Sequence, residues 1–128
     1  MSKSTRWLKI AFLAGAVSDL LIGVLMLIPS RMGETGFRYP MGLAASLSIG
    51  WALILVWGSR KPVERGGLLL ITIAEILALM GNGIYQFAIG TFPFAKILPN
   101  LILGVGLIGL MGLSYIASAA ERSARRRP

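Results

Sequence analysis

Apolar residues run along this chain in four long blocks rather than in short alternating runs. The blocks cover about 8–28, 41–57, 67–89 and 101–120, each near the roughly 17–25 residues a helix needs to cross a hydrocarbon core. A backbone in lipid must satisfy its own hydrogen bonds, so helices are the conformation such blocks adopt. The period-two alternation of a membrane β-barrel does not occur in the sequence. The pattern predicts an all-α fold: a polytopic membrane protein, with four transmembrane helices in one antiparallel bundle spanning residues 1–128 as a single domain.

Helix-breaking residues separate the blocks. Two prolines and two glycines punctuate 29–40 (PSRMGETGFRYP), and 58–66 (GSRKPVERG) reads as a tight hairpin around Pro62. The third connection, 90–100 (GTFPFAKILPN), is apolar and aromatic enough to lie in the membrane interface. The first block exceeds the 7–15 apolar residues of a signal-peptide core and lacks a small-residue cleavage site, so it is expected to stay as a span.

Basic residues then orient the bundle. Lys3, Arg6 and Lys9 lie at the start of the first block, Arg60, Lys61 and Arg65 fill the second connection, and Arg122, Arg125, Arg126 and Arg127 follow the last. The other side holds Arg31, Arg38 and Lys96, with Glu34 offsetting one of them. Positively charged loops stay in the cytoplasm, which predicts a multi-pass cytoplasmic (inner) membrane protein with both termini inside. The tail AERSARRRP reads as a topology signal and basic anchor on anionic lipid.

Composition removes several classes of chemistry. The 128 residues carry a net charge of +8, yet only 14% are charged and 55% are hydrophobic, with a mean hydropathy of +0.76. The bases sit at the ends of spans and form no face interleaved with aromatics, so no nucleic-acid partner is expected. With no cysteine and no histidine, disulfides, thiolate nucleophiles, Fe–S clusters and imidazole metal sites are excluded. No nucleophile with a base and no phosphate cradle is present, so neither a cofactor, a metal nor an enzymatic activity is expected. The stretch GVGLIG at 104–109 formally fits a dinucleotide fingerprint, but neither the strand nor the later acid that motif requires accompanies it. Its glycines read instead as a flat packing surface for a neighbouring helix or a second subunit.

The informative residues are polar ones inside the spans. Asp19 lies in the first block and Glu75 in the third, and beyond Lys9 at the edge of the first block no Lys or Arg lies inside any block to pair with them. An ionisable group at mid-bilayer costs roughly 2.5–3.5 kcal/mol on insertion scales, which makes each a functional candidate. Counting about 1.5 Å per residue puts Asp19 about 16 Å deep and Glu75 about 12 Å. On the same count Trp51 and Ser48 lie about 10 and 15 Å deep, in the same layer. Glu75, Asn82 and Gln86 fall on one helical stripe. Small residues at matching spacing, Gly15–Asp19–Gly23 and Gly42–Ser46–Gly50, suggest close helix contacts on the first and second spans. Glu75 is the stronger lead, with Asp19, Asn82 and Trp51 around it as a ligand- or proton-binding group. Asp19 is the more easily explained as a helix tie.

A buried acid without a counter-ion favours its neutral form, and such an acid can exchange a proton for a cation. Small four-span multidrug exporters use one embedded glutamate in that way, and the resemblance to them is architectural. The expected function is therefore proton-coupled transport or binding of a cation or amphipathic base. The alternatives are a structural or accessory subunit (assembly factor) of a membrane complex, or a lipid- or hydrophobic-ligand-binding bundle resembling sterol-isomerase-like proteins in architecture. Partners are the lipid bilayer and a second copy or larger membrane complex.

The stretch RYPMGLAASLSIGW, the following RKPVERGGLLL, and the run SDLLIGVLMLIPSRMGETGFRYP resemble a group of small four-span prokaryotic membrane proteins of unknown function. The resemblance implies a bacterial or archaeal membrane protein and assigns no functional residues.

Overall fold

The computed structural model describes residues 2–31, 36 and 38–125. Its four long helices are α1 (Lys3–Met26), α2 (Arg38–Ser59), α3 (Gly67–Ala88) and α4 (Phe94–Arg125), and no strand occurs among the described residues. All four are long and apolar enough to cross a membrane. Gly33 and Glu34 of the first connection, and Arg126 and Arg127 of the tail, lie outside the described residues.

Three of the helices begin earlier than the apolar blocks. At α1 the Ser2 side chain caps the helix by accepting from the Thr5 backbone N–H at 3.2 Å, which carries the first turn out to Lys3. At α2 the first turn contains Pro40, a position where no N–H is needed. The largest correction concerns 90–100, expected as an interfacial connection. Helix α4 starts within it, at Phe94, and carries Pro99 inside. Because the first four N–H groups of a helix have no internal partner, Pro99 interrupts the ladder only just beyond that turn. The helix tolerates it there and gains Lys96 and Asn100 as helical residues.

A left-handed cap makes that early start possible. Gly90 has φ +79°, its N–H donates to Phe87 O, and the Thr91 N–H reaches back to Gln86 O at 2.9 Å. This is a Schellman closure of α3, in which a glycine adopts the left-handed conformation at no side-chain cost. The chain reverses at once, and Phe87 and Phe94 meet edge to face at 5.6 Å across the turn.

The helices do not pack evenly. Helix α1 lies along α2 for most of its length and against α4, α3 leans on α4, and α1 scarcely touches α3. One core forms at the end of the bundle that carries both termini, from Leu8, Phe12, Ala16, Leu55, Leu69 and Met111. At that end the Ser2 hydroxyl donates to the Glu121 carboxylate at 3.0 Å, joining the start of α1 to the end of α4, and the Ser4 hydroxyl donates to the same oxygen. Toward the opposite end, α1 and α3 leave a gap backed by α4.

The outer faces are aliphatic: Leu47 is 75% and Leu113 71% exposed, with Val17, Leu53, Ile102 and Ile116 close behind. Such side chains in so dense a belt belong against hydrocarbon rather than water.

Candidate ligand cavity

The gap between α1 and α3 encloses a cavity of about 590 Å³. Helix α1 contributes Ser18, Asp19, Ile22 and Met26; α3 contributes Ile76, Met80, Asn82 and Gln86 among others; α4 contributes Lys96, Asn100, Leu103 and Leu107. Each set follows a helical stripe, so three helices present one face apiece to a common space.

Close packing behind Asp19 holds it in place. A Cβ built on Gly23 would stand 2.7 Å from Ile49 Cγ1 and 3.1 Å from the Ala45 carbonyl, so only glycine lets α1 and α2 approach this closely. One turn before Gly23, the Ser48 hydroxyl of α2 donates to the backbone carbonyl of Asp19 at 2.7 Å. The Asp19 side chain is left for the cavity. Its Oδ2 is buried and has no hydrogen-bond partner among the described residues, which is costly for a polar oxygen unless something occupies the space beside it.

The polar residues expected from the sequence separate into two groups. Asp19, Asn82 and Gln86 converge on the cavity. Glu75 is half-buried and outside the lining, next to Ile76, which does line it. Trp51 is turned away: its indole N–H donates to Thr72 Oγ1 at 3.1 Å, tying α2 to α3 beside the core. The glycine row of α2 faces outward, since a Cβ on Gly42 or Gly50 would meet nothing within 4 Å and Ser46 bonds back to Gly42 O. On α4, Gly104 lies against Met80, whereas Gly106, Gly109 and Gly112 open onto free space.

Two cavity residues escaped the sequence analysis. Lys96 and Asn100 stand four apart, a helical spacing, but Pro99 between them argued for a loop. In the structure both sit on the first turns of α4, and the Lys96 ammonium lies 5.6 Å from the centre of the Phe92 ring at the cavity mouth. Among the described residues no three acids gather as a metal site.

The chemistry available here is that of a carboxyl facing an amide-lined, half-apolar space. Such a carboxyl can hold a proton, or accept a hydrogen bond or a cation at its unpartnered oxygen. Fold, exterior and cavity together define a multi-pass membrane protein with a pocket built on one intramembrane acid. No family model, curated protein or solved structure matches the chain.

Proposed function

We propose that the protein resides in a prokaryotic cytoplasmic membrane with both termini inside, and that its cavity binds a cation or amphipathic base at Asp19 in exchange for a proton. The observation that carries this reading is the unpartnered, buried Asp19 Oδ2 in the wall of a 590 Å³ space. When the cation arrives, the carboxyl O–H bond breaks, its electron pair stays on the carboxylate, and the proton passes to water at the mouth. When the cation leaves, the proton returns. Glu75 stands behind the cavity wall beside Ile76, in the same layer as Asp19. Asn82 and Gln86 present amide oxygens whose dipoles can face the cation's positive charge.

The test is titration of the purified protein with tetraphenylphosphonium in weakly buffered dodecylmaltoside. About one proton released per cation bound, with both binding and release lost in Asp19→Asn, is the expected result. Absence of binding to the wild type, or binding unchanged in Asp19→Asn, overturns it.

The open glycine face of α4 favours a second reading, an accessory subunit that docks through Gly106, Gly109 and Gly112. A heterologous partner at fixed stoichiometry after gentle extraction supports that alternative.

A further inference from the structure

The cavity holds charges of both signs. Among the described residues that line it, Asp19 is the acid and Lys96 the base, and neither forms an ion pair with the other or with any described residue. Opposite charges in a low-dielectric space attract strongly when they can reach one another. Here Lys96 is exposed and Asp19 half-buried, with no ion pair between them. Lys96 rests over Phe92 at the mouth, while Asp19 sits about 10 Å below Met26 along α1, counted at the helical rise. Asn100 lies one turn below Lys96, and Asn82 and Gln86 line the facing wall, so the interval between the two charges is furnished with amides. Ile22, Leu103 and Leu107 give the same space an apolar side.

We infer that the ligand is a zwitterion, bound with its ammonium group inward at Asp19 and its anionic group, a phosphate ester or carboxylate, outward at Lys96. This assignment rests on cation binding at Asp19 and adds to it the identity of the ligand class. A simple cation would satisfy Asp19 but be repelled by Lys96, and a simple anion the reverse. A zwitterion satisfies both charges and brings none in excess into the membrane. Such a ligand has two natural sources, a membrane lipid head group with its chain along the apolar side or a free soluble zwitterion.

The experiment compares hexylphosphocholine with hexyltrimethylammonium, matched in chain and cation, on wild type, Lys96→Gln, Lys96→Arg and Asp19→Asn in maltoside micelles. Wild type is expected to prefer the zwitterion by about tenfold. Lys96→Gln should abolish the preference by weakening the zwitterion and sparing or strengthening the cation, Lys96→Arg should keep it, and Asp19→Asn should bind neither. Equal affinities in wild type, unchanged in Lys96→Gln, overturn the zwitterion while leaving cation binding at Asp19 intact. If wild type binds neither probe, or Asp19→Asn binds as wild type does, both readings fall. Glycerophosphocholine separates the sources: binding as tight as that of hexylphosphocholine identifies a soluble zwitterion, and binding of the chain-bearing probe alone identifies a lipid.

Discussion

The Ser48 hydroxyl of α2 donates a 2.7 Å hydrogen bond to the backbone carbonyl of Asp19, not to its carboxyl. The helix tie and the acid therefore share a residue without sharing an atom. Removing the tie should cost stability and leave the ligand group alone. Ser48→Ala is expected to lower unfolding free energy by about 0.6 kcal/mol, the usual size of such bonds in bilayers, while cation affinity stays within about twofold. Unfolding in mixed dodecylmaltoside–SDS micelles and the tetraphenylphosphonium titration read the two effects separately. Loss of binding with stability unchanged would show that the hydroxyl serves the carboxyl instead.

Glycines on two helices that look alike in sequence should behave in opposite ways. Gly23→Ala drives a methyl into Ile49 and the Ala45 carbonyl and is expected to cost about 1–3 kcal/mol. Gly50→Ala meets nothing within 4 Å and should be neutral or stabilising by up to about 1 kcal/mol, from reduced backbone freedom. The same SDS titration checks both. A destabilised Gly50→Ala would mean that the outer face of α2 is packed against another chain.

The left-handed cap of α3 gives a third case. Gly90→Ala places a side chain at φ +79° and should cost about 1–2 kcal/mol. The strain falls on the turn that brings Gln86 and Lys96 to the same mouth, so ligand affinity should fall with it. Gly90→Asn, which tolerates that conformation better, should recover part of both.

Orientation can be read directly, because the chain has no cysteine of its own. Single cysteines at Ser2, Arg60 and Ser123 are expected to resist a membrane-impermeant maleimide in intact cells, whereas one at Thr91 should label. Labelling of Ser2 and Ser123 with Thr91 protected would invert the assigned topology.

Much of this architecture was legible before any coordinates. Four apolar blocks without alternation require four helices, and the structure has them at those places. What hydropathy could not convey was where the last helix starts, because Pro99 and the aromatic run before it look like a loop. Only the Gly90 cap, a backbone feature, shows that the chain has already turned. Depth along the membrane was also legible, since it is a count of residues. Rotation about each helix axis was not. Asp19 and Glu75 occupy the same layer, but one lines the cavity and the other stands behind the wall, a difference of roughly one 100° step from Glu75 to Ile76. Trp51, equally well placed in depth, is turned toward Thr72. Small-residue spacing was ambiguous for the same reason: Gly23 meets a neighbour and Gly50 does not.

The core closes the bundle at one end only. Phe12, Leu55, Leu69 and Met111 fill the half nearest the termini, and the open volume begins about where that packing stops, near Asp19. A single copy is thus packed solid at the end that carries the termini and open beyond it. A ligand held at Asp19 would meet Phe12, Leu55, Leu69 and Met111 on the terminus side, and a path through the bundle would require that packing to loosen. Were the proposed exchange coupled to transport, net passage across the bilayer would demand that the packed end and the open end trade places.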